Sequence, residues 1–190
     1  LCYALGTITQ YLAYQALQSV GLDFDDVQSV TSTVALAGQL LANDRTDALV
    51  AVEPLLSTMV QTGDARIIAR GTDIVPEIHY LVAPAEALAR PDTTSFIGDF
   101  LDRTGKAMQW WQDNPQAAVR EAAQLYKVPE PVAATIARHI GRKAVPITPD
   151  IIAFQQQQAD VFHALGQIAA RIDVDTIFDR RFDKVGGDHV

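Results

Sequence analysis

The chain has 190 residues, 48% of them hydrophobic and 20% charged, which is the make-up of an ordinary globular protein with enough length for a sizeable core and excludes a disordered one. Its net charge of −8 argues against nucleic acid or an anionic membrane surface as a partner, because both require a basic face. The single cysteine, Cys2, excludes an intramolecular disulfide and leaves the cytoplasm and a bridge-free exported location equally open.

The elements follow in order. Leu1 to Leu5 is an apolar run and is expected to form a buried strand. Gly6-Thr7-Ile8-Thr9-Gln10-Tyr11 then leads into a segment with Ile8, Leu12, Ala13, Ala16, Leu17 and Val20 on one face, which predicts a helix from Ile8 to Val20 closed by Gly21. Val27 to Val30 reads as a short strand, and Thr31-Ser32-Thr33 offers caps for a helix running through Leu41. Ala48 to Val52 is a continuous apolar run, as expected of a parallel strand covered on both faces. Glu53-Pro54 opens a short helix through Val60. Arg66 to Ala69 and Ile78 to Ala83 read as further strands. Alternation of this kind predicts an α/β lobe with a parallel sheet.

After Pro84 the pattern becomes helical. Helices are expected from Phe96 to Trp111, from Gln116 to Tyr126 after the Asn114-Pro115 break, from Pro129 to His139, and from Pro149, where an apolar stripe of Ile151, Phe154, Val161, Leu165 and Ile168 is interrupted only by Gln158. Gln155 to Gln158 is expected to be a solvated face, and the tail beyond Asp173 to fray. No apolar run approaches the roughly 18 residues of a membrane span. The chain contains no secretion leader and opens directly on a core strand, so residues upstream are expected to be missing.

Four stretches carry a likeness. They are Gly6-Thr7 before a helix rich in Tyr, Leu and Ala; Asn43-Asp44-Arg45-Thr46-Asp47-Ala48 followed by Val52-Glu53-Pro54; Gly71-Thr72-Asp73 followed by His79-Tyr80-Leu81-Val82-Ala83; and Trp110 to Pro115 followed by Ile152 to Leu165 and Ile172-Asp173-Val174. In this order and spacing the chain resembles the C-terminal two-thirds of the periplasmic solute-binding proteins of ABC transporters for sulfonates, taurine and nitrate, whose relatives bind thiamine-precursor pyrimidines. The resemblance implies a two-lobe, type II periplasmic-binding-protein-like fold with the ligand in an interlobe cleft. Residues 1–75 would form lobe two, 76–180 the return crossover and helical portion of lobe one, and 181–190 a flexible tail, with hinge rotation near residues 72 to 79. The family's opening strands and helices have no counterpart in this chain, which would leave apolar faces of the last helices exposed.

The candidate ligand-binding residues are Gly6, Thr7, Thr9, Glu53 and His79. A helix start presents unpaired N–H groups and the positive end of the helix dipole, so Gly6, Thr7 and Thr9 are placed to hold a sulfonate or carboxylate. The other reading of these residues is a capped helix with nothing bound. Glu53 follows a buried strand at its carboxyl end, where open α/β sheets bind ligands, and could accept from an amine; it could equally stabilise the helix begun at Pro54, the reading slightly favoured. His79 could face a ligand or be a hydrogen-bonded structural residue, and its strand neighbour Tyr80 faces the other way.

Catalysis has little support. His79, His139, His163 and His189 show no metal spacing with one another or with Cys2, and neither a nucleophile elbow nor a phosphate-binding loop is present. Trp110-Trp111 reads as packing. The expectation is a non-enzymatic, cofactor-free and metal-free monomer, periplasmic or extracytoplasmic, that captures a small anionic ligand and docks a membrane ABC permease. The alternatives are a thiamine-pyrimidine-precursor binding or synthesis protein of the same fold, and a ligand-sensing module.

Overall fold

The computed structural model describes residues 1–139 and 144–183. The chain divides into two compact units: Leu1–Glu77 with Gln157–Ile172, and Ile78–Gln156 with the described residues from Asp173 onward. The expected second segment was continuous from residue 76 to 180; in the structure Gln157–Ile172 groups with the first unit instead.

In the first unit, β1 (Cys2–Tyr3) pairs in parallel with β2 (Val30–Thr31), Cys2 opposite Val30 and Tyr3 opposite Thr31. On its other side β1 meets the run around Leu49 through one parallel bridge, with Cys2 N–H donating to Ala48 O at 2.8 Å and Val50 N–H to Cys2 O at 2.9 Å. The order across this small sheet is therefore β2, β1, then the Leu49 run. It is narrower than the alternation predicted. Cys2 is fully buried there, and burial pushes its thiol up, away from the reactive thiolate.

Helix α1 (Ile8–Gln18) follows β1. Its inner face carries Gln10, Tyr11 and Ala13, all at most 3% exposed, and the Tyr11 ring lies 6.3 Å from that of Phe162. The end of α1 is set by glycine as the sequence predicts: Gly21 has φ +76°, its N–H donates to Gln18 O, and Leu22 N–H reaches back to Leu17 O. A Cβ at Gly21 would meet nothing within 4 Å, so replacing it tests backbone strain alone. Gly21→Ala is expected to lower stability by about 1–2 kcal/mol in urea denaturation, the cost of a left-handed residue with a Cβ; an unchanged midpoint would contradict this.

Helices α2 (Val34–Ala42) and α3 (Leu55–Thr62) complete the layer of this unit. They approach closely at Gly38, where a Cβ would sit 2.8 Å from a Leu55 methyl. Thr33 is the residue before α2 but makes no side-chain cap bond. The strand expected at Arg66 to Ala69 does not form. An extended segment becomes a strand only when a neighbouring backbone completes its ladder, and no described residue does so here. The same holds in the second unit for Ile78 to Ala83, where Val82 stays 91% exposed.

The second unit is helical. A single turn, α4 (Ala85–Leu88), was not anticipated; it precedes α5 (Pro91–Asp113), which begins five residues earlier than the apolar stripe indicated because Pro91 is well suited to a first helical position. Phe96 and Phe100, one turn apart on α5, are 68% and 49% exposed. Asn114 caps both α5 and α6 (Pro115–Tyr126), and Lys127 at φ +53° turns the chain into α7 (Glu130–His139). Ala118 and Ala122 on α6 and Val132, Ala133 and Ile136 on α7 are at most 3% exposed; alanines there let the two helices pack closely. Trp111 Nε1–H donates to Ala137 O at 3.0 Å, tying α5 to α7, so its role is packing as expected.

Helix α8 (Pro149–Ala164) contains the boundary between the two units. It stops before Ile168, because Gly166 at φ +72° ends it and Gln167 N–H folds back onto Phe162 O. The glutamine run on α8 is not simply a solvated face: Gln155, Gln156 and Gln158 are half-buried, and Gln156 Oε1 accepts the N–H of the fully buried Val174. The tail is ordered as far as it is described. Arg181 donates to Asp179, holding that carboxyl below its usual range, and to Leu88 O at 3.1 Å. Residues 184–190, the rest of the tail, lie outside the described residues, as does part of the connection after His139.

Candidate functional site

The site begins with topology. From β1 the chain moves to one side to form β2, then crosses to the opposite side to form the run around Leu49. Parallel sheets open a crevice where the chain reverses its direction of progress, at the carboxyl ends of the strands. In this unit that point lies between β1 and the Leu49 run. The two segments leaving it are Ala4–Thr7, which enters α1, and Val52–Glu53, which enters α3.

The first turn of α1 carries a T-x-x-Q sequence, Thr7-Ile8-Thr9-Gln10, which in sequence terms is a capping box. In a capping box the glutamine would take the N–H of the capping residue itself. The structure shifts this arrangement by one residue. Gln10 Oε1 accepts from Gly6 N–H at 2.7 Å instead, and Thr7 Oγ1 accepts from Thr9 N–H at 3.2 Å. Gly6, at φ +68°, supplies the left-handed turn that brings its N–H under the glutamine.

The two threonine hydroxyls close a small circuit. Ala4 O accepts from the Thr7 hydroxyl at 2.8 Å or from the Thr9 hydroxyl at 3.4 Å; the two Oγ1 atoms are 2.8 Å apart, and whichever hydroxyl does not serve Ala4 O is the donor between them; and Thr9 Oγ1 accepts from Ala4 N–H at 2.9 Å. Each hydroxyl has one proton, and both are used. Thr9 is 4% exposed and faces the loop, while Gly6, Thr7 and Ile8 are exposed. Two adjacent backbone donors, Thr7 N–H and Ile8 N–H, at the positive end of an 11-residue helix, have no partner among the described residues. The threonines hold the turn; the amides face outward.

Glu53 sits across the switch point on the other departing segment. Its Oε1 accepts from the Ser57 hydroxyl at 2.8 Å and its Oε2 from Ser57 N–H at 3.1 Å, so the carboxylate serves the first turn of α3. His79 belongs to the second unit and is exposed, on the segment after Glu77. The structure therefore brings Gly6, Thr7 and Thr9 together in one turn, and His79 lies in a separate unit. Sequence reading overlooked Ile8, whose contribution is a main-chain group, and Gln10, whose signal was the T-x-x-Q spacing. No cluster of metal-binding side chains occurs among the described residues.

No protein-family model matches the chain. A curated Escherichia coli (strain K12) aliphatic sulfonates-binding protein is 25% identical over 178 residues, which is 92% of this chain and 54% of that protein. The crystal structure of the periplasmic aliphatic sulphonate binding protein from Escherichia coli superposes with a TM-score of 0.82 at 25% identity, over 94% of this chain and 58% of that one. The chain has the type II fold of the periplasmic sulfonate-binding proteins. The alkanesulfonate-binding protein of Xanthomonas axonopodis pv. citri, bound to MOPS, has the same fold at a TM-score of 0.77 and 21% identity, covering 93% of this chain and 61% of its own. The chain thus spans a little over half the length of the sulfonate-binding relatives it matches. The first unit corresponds to the expected α/β alternation in kind: parallel strands, each leading into a helix. It differs in extent, with a much smaller sheet.

Proposed function

We propose that this chain forms part of the substrate-binding component of an ABC transporter for small organic sulfonates. The observation that carries the proposal is the pair of unpaired amides of Thr7 and Ile8, placed at the carboxyl end of β1 beside the switch point of a sheet with the sulfonate-binding fold. A sulfonate is an acceptor-only monoanion at neutral pH. Neutral N–H groups at a helix start meet its oxygens with directional hydrogen bonds, and the aligned peptide dipoles supply the favourable field. Gly6 has no side chain to block the approach, with nothing within 4 Å of where a Cβ would stand. An anion held without a full charge pair leaves faster, which suits cargo that must be released.

On this reading the protein is a carrier and not an enzyme, it works outside the cytoplasmic membrane, and its partner is a membrane permease. Thr7 and Thr9 act by holding the turn, and Glu53 by fixing the start of α3. Taurine and nitrate belong to the same chemical range, as small anions with several equivalent oxygens. The comparisons lend nothing to the pyrimidine or sensing alternatives, since the relatives found are named for sulfonate binding.

Calorimetric titration tests the proposal. A short alkanesulfonate is expected to bind with one site, and the alcohol of the same chain length to give no heat. Thr7→Ala is expected to weaken the sulfonate several-fold, because removing the cap hydroxyl loosens the turn that aims the amides, at a stability cost of about 1 kcal/mol. Binding of the alcohol as tightly as the sulfonate would reject an anion site.

A further inference from the structure

Gln10 is only 3% exposed, yet only half of its carboxamide is used. Oε1 is held by Gly6 N–H at 2.7 Å, and because an N–H needs an acceptor this bond settles which end of the amide is oxygen. Nε2 has no hydrogen-bond partner among the described residues, although no side-chain polar atom that is itself fully buried is left unsatisfied in them. Nε2 must therefore reach the surface from a side chain otherwise enclosed. The two heteroatoms of a carboxamide share one carbon, so Nε2 lies beside the atom that grips the Gly6 turn.

We propose that Gln10 is a direct anion contact whose Nε2–H donates to a sulfonate oxygen alongside the amides of Thr7 and Ile8. This rests on the sulfonate-site reading and deepens it. The shifted capping box is what makes it possible: by taking Gly6 N–H, Gln10 leaves Thr7 N–H free and has its own carboxamide held against the same turn. The site then offers three neutral donors, one from the Gln10 side chain and two from the backbone, for an anion with three equivalent oxygens. Such a set favours a fully deprotonated oxyanion over one that carries an O–H, for which the three donors provide no acceptor.

A titration of the 15N-labelled full chain with methanesulfonate, followed by NMR, tests this. The Gln10 side-chain NH₂ pair, assigned by its absence from Gln10→Glu, is expected to shift with the same saturation curve as the Thr7 and Ile8 amides. If the two backbone amides shift and the Gln10 pair does not, the anion site stands and this assignment falls. If none of the three moves, the site itself falls and this assignment with it. Gln10→Glu keeps an acceptor for Gly6 N–H, so the fold should be retained by circular dichroism, while the donor is replaced by a negative charge. Its affinity for methanesulfonate is expected to drop about 10- to 100-fold, the range for losing a hydrogen bond to a charged group. Affinity equal to the unmodified chain would overturn the assignment.

Discussion

Tyr11→Ala is expected to destabilise the protein by about 3–5 kcal/mol, the range for emptying a large aromatic site in a core. Tyr11 has no exposed surface, and it is the largest fully buried side chain among the described residues. Its ring meets Phe162 at 6.3 Å, joining α1 to α8 within the first unit, and its hydroxyl accepts from Gln15 Nε2 at 2.7 Å. Natural domains are stable by only about 5–15 kcal/mol, so this one change removes a large share of the total. Tyr11→Phe keeps the ring and removes the hydroxyl, and its cost should be about 1 kcal/mol. Urea denaturation followed by far-ultraviolet circular dichroism reads both variants. The Trp110 and Trp111 fluorescence is the wrong probe, since both belong to the second unit. A Tyr11→Ala midpoint close to that of the unmodified chain would mean that α1 is not anchored as the structure describes.

Ile8→Pro is expected to leave the fold intact and weaken sulfonate binding about 10- to 100-fold, the range for one hydrogen bond to a charged group. Proline removes a single atom pair that matters here, the N–H of the first helical residue. Several features make this a clean deletion. Ile8 is the first residue of α1, where proline is favoured because that N–H has no partner within the helix. Thr7 is already extended, at φ −122° and ψ 173°, as a residue before proline must be. The isoleucine side chain is 47% exposed, so little packing is lost. Stability should change by no more than about 0.5 kcal/mol, as for ordinary surface substitutions. Ile8→Ala is the control: it removes the same side chain and keeps the amide, so its affinity should stay near that of the unmodified chain. Equal affinity of Ile8→Pro and Ile8→Ala would show that the anion is not held by this amide. Taken with the Gln10 titration, the two experiments separate the backbone contribution to the site from the side-chain one.

Helices were readable along most of the chain because their signals are local. Apolar residues at three- and four-residue spacing, Pro at positions 115 and 149, and Gly21 at a helix end act over one or two turns, and the structure answers each of them. Overshoots were local too, as where the stripe through Ile168 ran past the left-handed turn at Gly166. The strands at Arg66 to Ala69 and Ile78 to Ala83 could not be read in the same way. Their β-branched and aromatic residues state a preference, but a ladder needs a second backbone, and that is a property of the assembled chain.

The candidate site shows the same division. Gly6, Thr7 and Thr9 were visible in the sequence as a turn entering a helix, and the chemistry of a helix start followed from them. By itself the sequence determined that an anion-compatible turn lies between the first strand and its helix. Only the tertiary structure decided which groups of that turn are free. It assigned both threonine hydroxyls to the loop, moved the Gln10 oxygen onto Gly6 N–H, and left the Thr7 and Ile8 amides and the Gln10 nitrogen without partners. It also set the turn beside the point where the sheet reverses, through the pairing of β1 with Val30 on one side and Leu49 on the other. The physical reason is that residue types fix how many hydrogen bonds a segment can make, whereas the partner each proton finds depends on distances that exist only once the backbone is folded.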